Sequence, residues 1–104
     1  MIKEIIYRNE DGCLAIVEDN DNASVFLTSN LTAPQQASIA TMKDFCETKK
    51  TPLKTVTYNN VTNILSISDT SNSFVNLNID TDLSPTERGY LDAVGVICNE
   101  LLNS

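Results

Sequence analysis

Two helix-start signals in this 104-residue chain constrain its fold more than any other feature of the sequence. Thr32 and Gln35 lie three places apart before an apolar periodic segment, and Ser84 and Glu87 repeat that spacing 52 residues later. A hydroxyl residue at the N-cap and Glu or Gln at the third helical position satisfy backbone N–H groups that lack helical partners. A proline in the first turn, present in both segments, is tolerated for the same reason. The sequence therefore predicts one helix after each signal.

Each predicted helix carries a single apolar stripe. The first helix is expected to end near residue 48 and the second near residue 102. The stripe residues recur at helical spacing, as on a helix with one buried face. They are Ile39, Met42, Phe45 and Cys46 in the first helix and Leu91, Val94, Cys98, Leu101 and Leu102 in the second.

Three strand-like segments precede each helix. They are short, rich in apolar and β-branched residues, and separated by turn-forming residues. They cover residues 2–7, 13–18 and 23–28 in the first half and residues 53–58, 61–68 and 73–79 in the second. Gly12 supplies a turn residue with positive φ, and Asn59 and Asn60 are predicted to form a two-residue hairpin turn.

The two halves share one order of elements: strand, strand, strand, helix. We therefore predict a single α+β domain over residues 1–104, built of two βββα units at 1–49 and 52–104 that arose by internal duplication. Cys46 and Cys98 lie at corresponding positions. Convergence of two amphipathic segments is the alternative. The units can form one antiparallel sheet with both helices on one face, or two stacked layers.

The residue types that common active sites need are missing. The chain has no histidine, which excludes Cys–His and Ser–His nucleophilic pairs and removes the commonest transition-metal ligand. Cys13, Cys46 and Cys98 are widely spaced and form no CxxC motif. The three glycines form no phosphate-binding loop. We expect a protein that is not an enzyme and that holds no metal or cofactor.

Charge and hydropathy narrow the range of partners. Fourteen acids against seven bases give a net charge of −7. Such a charge repels nucleic-acid phosphates and anionic lipid and suits a basic protein partner. No apolar run approaches the roughly 18 residues of a membrane span, and the first residues lack the pattern of a signal peptide. We expect a cytoplasmic protein without membrane contact.

These exclusions favour a non-enzymatic protein-interaction module, such as an adaptor, an inhibitor or an assembly subunit. One candidate surface is an acidic turn suited to a basic partner. Its residues are Glu18, Asp19 and Asp21.

A second candidate surface lies on the last helix, where the segment "AVGVIC" has almost no polar side. Val94, Val96 and Ile97 in this segment suit self-association as a homodimer. Burial of the same helix inside a monomer is the alternative.

Two further alternatives concern nucleic acid. Lys49, Lys50 and Lys54 form one local basic cluster, which an oligomer could align into a nucleic-acid-binding surface. These lysines are interpreted first as a helix end and linker, so nucleic acid is the less favoured partner. The many carboxylates could instead mimic nucleic acid, as an inhibitor of a DNA-binding protein would.

Overall fold

The computed structural model describes all residues from Met1 to Ser104 and has an α+β fold. One six-stranded antiparallel sheet is combined with three α-helices, and a short 3-10 turn connects the third strand to the first helix. The strands are β1 (Ile2–Arg8), β2 (Cys13–Glu18), β3 (Ala23–Leu27), β4 (Leu53–Asn59), β5 (Ile64–Asp69) and β6 (Phe74–Asn78). The helices are α1 (Ala33–Glu47), α2 (Ile79–Asp82) and α3 (Pro85–Leu102).

The strand order is β3-β2-β1-β4-β5-β6, so β1 and β4 are neighbours at the centre and β3 and β6 lie at the two edges. β1 and β4 pair antiparallel, from Glu4 opposite Asn59 to Arg8 opposite Thr55. The first three strands and the last three therefore join edge to edge. Of the two arrangements left open by the sequence, the single sheet is the one adopted.

Both predicted capping boxes are present. The Thr32 hydroxyl accepts from the Gln35 backbone N–H at 3.3 Å, and the Gln35 side chain accepts from the Thr32 N–H at 3.0 Å. The corresponding distances between Ser84 and Glu87 are 3.1 and 2.8 Å. The predicted starts of the two long helices are confirmed.

The predicted apolar stripes face the core. Both long helices pack against the same face of the sheet, because their stripes belong to one buried cluster together with sheet residues. Leu101 and Leu102, at the end of α3, are only partly buried against that cluster. The fully buried side chains include Leu14, Ile16, Leu65 and Ile67 from the sheet and Met42, Cys46, Leu91, Val94 and Cys98 from the helices.

The turn between β4 and β5 differs from the prediction. A two-residue turn at Asn59 and Asn60 is wrong, since β4 continues through Asn59 and β5 begins only at Ile64. The Asn59 side-chain oxygen accepts from the backbone N–H groups of Val61 and Thr62, both at 2.9 Å. These side-chain bonds stabilise a longer turn, which a pattern of strand residues alone does not reveal.

The end of the last strand also differs. β6 stops at Asn78, and the segment expected to be strand end and turn forms the short helix α2. The Asn78 side chain caps it by accepting from the N–H groups of Asp80 and Thr81. Ile79, only 5% exposed, points into the core from this helix.

The capping boxes predict a measurable loss of stability. Ser84→Ala removes the acceptor for the Glu87 N–H, and we expect it to lower the free energy of unfolding by about 1 kcal/mol in urea titration. Thr86→Ala is the matched control, because Thr86 is exposed in the same turn and caps nothing. The control should leave stability unchanged or slightly raised. Equal losses in the two variants would contradict the assignment.

Candidate interaction surfaces

The helices leave one whole face of the sheet uncovered, here called the open face. Residues directly opposite each other in neighbouring strands point to the same face, and every second residue along a strand does so too. The pairings place on it an upper row (Leu27, Cys13, Arg8, Thr55, Ser68, Phe74), a middle row (Val25, Ala15, Ile6, Thr57, Ser66, Asn76) and a lower row (Ala23, Val17, Glu4, Asn59, Ile64, Asn78). None of these side chains is buried.

The half of the open face that belongs to β1, β2 and β3 is mainly apolar. Val25 is 64% exposed and Leu27 is 48% exposed. We call this surface the apolar half-face; it comprises Ile6, Cys13, Ala15, Val17, Ala23, Val25 and Leu27. Contiguous exposed apolar surface of this kind is typical of a site that contacts another molecule.

The half that belongs to β4, β5 and β6 is mainly polar. The Thr55 and Ser68 hydroxyls hydrogen-bond each other across β4 and β5. The Ser66 hydroxyl likewise donates to the Asn76 side chain across β5 and β6. We call this surface the hydroxyl half-face. These hydroxyls are partnered within the chain and compatible with water, and Phe74, 64% exposed on β6 at the edge of the sheet, is the large apolar side chain on this half-face.

The contrast between the half-faces is visible in the sequence of the strands, although the site predictions above do not use it. Residues 13–17 read "CLAIV", apolar at every position, whereas "TVT" at 55–57 and "SIS" at 66–68 alternate. A strand that is apolar on both faces is typical of a strand covered on both faces. The continuous runs in the first half could therefore have identified the apolar half-face.

The predicted acidic residues do come together in the turn between β2 and β3. Lys3 donates to the Asp21 carboxylate at 2.8 Å. This hydrogen bond, with the charge of Lys3, lowers the pKa of Asp21. The Asp19 carboxylate lies 3.8 Å from the Met1 amino group. Glu18, at the end of β2, is half-buried, and the acidic turn borders the apolar half-face next to Val17.

The three predicted self-association residues on the last helix do not share one surface. Val94 is fully buried and Ile97 is 6% exposed, whereas Val96 is 60% exposed. Helical spacing turns the first two residues toward the buried side of the helix and the third toward solvent. Of this set, Val96 alone is available to a partner.

The lysine cluster is held by internal partners. The Lys49 ammonium lies 3.6 Å from the Glu87 carboxylate and 5.7 Å from the centre of the Phe45 ring. Lys50 donates to the Ser73 hydroxyl at 2.8 Å, and Lys54 donates to the Asn72 side chain at 2.6 Å. Lys50, which follows α1, and Lys54, in β4, therefore both bind the turn between β5 and β6.

Asp69 organises that turn. Its carboxylate accepts from the Ser71 hydroxyl at 2.6 Å and from the Ser71 and Ser73 backbone N–H groups at 3.0 Å. The residue is 8% exposed, and the Lys50 ammonium lies 3.9 Å away. The Ser71 hydroxyl bond lowers the pKa of Asp69, and the backbone bonds and Lys50 add to this shift.

The chemically reactive groups are separated. Burial raises the pKa of Cys46 and of Cys98 to about 12, so both remain neutral thiols at physiological pH. Cys13 is half-exposed on the open face. No three Cys, Asp or Glu side chains converge as a metal site would require.

Comparison with known proteins finds no family model, no curated protein and no solved structure that matches this chain. None of the helices combines the length and the apolar content that crossing a bilayer demands. The function is therefore argued from the surfaces described above.

Asp69 predicts a specific pH dependence of stability. Its folded pKa lies below the ordinary value of 3.8. Its stabilisation is therefore complete above that value and is lost as the pH falls through the lower folded pKa. We expect Asp69→Asn to be less stable than the wild type at pH 7 in urea titration, and to lose less stability than the wild type on acidification.

The control for this prediction is Asp44→Asn. It removes an exposed carboxylate that accepts no hydrogen bond from another side chain or backbone group. Its acid-induced loss of stability should match that of the wild type. Parallel profiles for wild type and Asp69→Asn would show that the Asp69 network contributes nothing.

Proposed function

We propose that this chain is a non-enzymatic protein-interaction module, an adaptor, inhibitor or assembly subunit, that binds through its apolar half-face. The observation that carries the proposal is the difference between the two halves of one exposed sheet surface. The hydroxyl half-face pairs four of its polar side chains internally and exposes Phe74 only at its outer edge, whereas the apolar half-face is apolar across β2 and β3 and leaves Val25 and Leu27 in water. A partner would remove that apolar surface from water.

The energetic gain on contact is substantial for a chain of this size. Fully burying a Val or Leu side chain contributes about 1.5–3 kcal/mol. Because Val25 and Leu27 are already partly covered, each would add on the order of 1 kcal/mol. Ile6, Ala15 and Val17 would add smaller amounts, since they are less exposed.

The acidic turn supports a role in choosing the partner. Glu18 follows Val17 in β2, and Asp21 shortly precedes β3, so the carboxylates lie at the rim of the apolar half-face. A polar, charged rim around an apolar centre is the usual composition of a protein interface. Among partners other than copies of this chain, we propose that this rim favours a basic protein, in the cytoplasm, over an acidic one.

Nucleic acid is the weaker candidate. Binding through Lys49, Lys50 and Lys54 would need these side chains to leave Glu87, Ser73 and Asn72. Nothing in the arrangement of the surface favours this exchange or favours mimicry of nucleic acid by the carboxylates.

We also propose that the two halves, 1–49 and 52–104, descend from one duplicated βββα unit. The strand order is symmetric about the β1–β4 pair, both long helices begin with a capping box, and Cys46 and Cys98 are both buried. The strands and long helix of one half should superpose on those of the other. Halves that do not superpose would contradict duplication.

The interaction proposal predicts a loss of bound proteins when the apolar half-face is charged. The combined change Val25→Lys and Leu27→Lys places two ammonium groups on it, and buried unpaired charges oppose binding. Tagged chain would be captured from native lysate that also contains untagged chain, and the bound proteins would be quantified by mass spectrometry. We expect this double variant to lose the partners of the wild type, whether copies of the chain or other proteins.

The matched control carries Ala37→Lys and Ala40→Lys, which add the same charge at exposed positions of α1, away from the open face. It should retain the partners. Circular dichroism would establish that both variants are folded. Identical partners on the wild type and on the Val25→Lys, Leu27→Lys variant would overturn the proposed function.

A further inference from the structure

We infer that the molecule covering the apolar half-face is a second copy of this chain, stacked face to face about a two-fold axis perpendicular to the strands. The inference rests on the proposed function, because it names the occupant of the same surface. Its support comes from the positions of charge and of side-chain size on the open face.

The charged residues of the open face lie in a self-complementary pattern. Among its three rows, Glu4 and Arg8 are the only charged side chains, and both belong to β1. Arg8 lies in the upper row and Glu4 in the lower row. A two-fold axis along the middle row exchanges the outer rows, so Arg8 meets the partner's Glu4 and Glu4 meets the partner's Arg8. The interface then contains two Arg8–Glu4 pairs related by the two-fold axis, as an isologous interface requires.

Both groups retain free positions for such a contact. Arg8 binds Asp11 through Nε and Nη2, at 2.6 to 3.1 Å, which leaves Nη1 free. Glu4 accepts one bond from the Asn59 side chain through Oε2 at 3.2 Å, which leaves Oε1 free. A further bond from Nη1 to the partner's Oε1 therefore breaks no existing bond.

Side-chain size follows the same symmetry. The exchange of outer rows sets Leu27 against the partner's Ala23 and Cys13 against the partner's Val17. In each pair a larger side chain meets a smaller one, which is how two sheet faces interdigitate. Val25 and Ile6, in the middle row, meet their own copies at the axis.

Other two-fold arrangements of the same faces are less favourable. An axis parallel to the strands through β2 would place Arg8 over the partner's Leu27 and Glu4 over the partner's Ala23. An axis parallel to the strands through β1 would place each charge over its own copy. Arg8 keeps Asp11 in either arrangement, but both bury Glu4 without an opposite charge. The pattern of charge therefore selects the perpendicular axis.

The size of the face sets the expected strength. Because the perpendicular axis stacks the whole open face, the second copy covers the hydroxyl half-face as well as the apolar half-face. Six strands at about 4.8 Å spacing and five residues at about 3.4 Å each give a plane of roughly 29 by 17 Å, or about 500 Å² per copy in projection. Two copies together reach about 1,000 Å², at the lower end of specific interfaces. We expect a reversible dimer with a dissociation constant in the micromolar range.

The test reverses the charges of Glu4 and Arg8 in separate variants. The mass in solution is measured by light scattering and sedimentation over about 1 to 500 µM protein. The wild type should change from 11.4 kDa toward twice that mass as its concentration rises. Glu4→Arg alone and Arg8→Glu alone each create like-charge pairs across the axis. Each should weaken the dimer about tenfold or more. An equimolar mixture of these two variants should dimerise again, because every cross-axis pair in it is opposite in charge.

Lys43→Glu is the matched control for Arg8→Glu. It also replaces a positive charge with a negative one, but on α1, away from the open face. It should dimerise as the wild type does. Arg8→Glu also breaks the contact with Asp11, so thermal unfolding must show that the variant is folded. Cys13 gives an independent readout, because its reaction with a thiol reagent should slow as the wild type dimerises.

A wild type that stays at 11.4 kDa throughout would overturn the second copy as occupant. So would a mixture of the two single variants that remains monomeric. Neither result would contradict the proposed function if other proteins from the lysate bind the wild type but do not bind the Val25→Lys, Leu27→Lys variant. In that case the occupant is a different protein, and the two failures are distinguished.

Discussion

The antiparallel pairing of β1 with β4 is the contact on which the rest of the structure depends. Either three-stranded half alone would have an exposed edge along its seven-residue first strand and a single long helix for cover. Joining these edges makes one continuous sheet and brings α1 and α3 side by side over one face. The same joining necessarily leaves the opposite face of all six strands without a helix. Core and open face are thus two results of one pairing.

The open face is divided where β1 meets β4. On one side β2 and β3 carry mainly apolar residues on the open face, and on the other most open-face residues are Thr, Ser and Asn. The second side is stable in water because its hydroxyls bond across strands. A fold that is symmetric in strand order is therefore asymmetric in surface chemistry, and the proposed contact surface lies on its apolar side.

Local features of the structure were predictable from the sequence, whereas long-range ones were not. Thr32 and Ser84 identify helix starts because capping involves residues three places apart, and helical periodicity identifies Met42 as buried. The neighbour of β1 could not be derived, since strand pairing across 50 residues leaves no local pattern. Val94 and Ile97 were assigned to a surface because an apolar helix segment can face either a core or a partner. Strand-forming patterns locate strands without showing which of their faces is covered. They therefore do not identify the apolar half-face.

The positions of β3 and β6 at the ends of the sheet affect how the protein behaves when crowded. Neither strand contains a charged residue, a proline or a bulge, which are the devices that usually stop a sheet from accepting another strand. Mutual repulsion from a net charge of −7 is then what keeps separate sheets apart. Near the isoelectric point of about 4.2 that repulsion vanishes. Under such acidic conditions no net charge opposes edge-to-edge addition of one sheet to another, which would extend the strand order beyond β3 and β6.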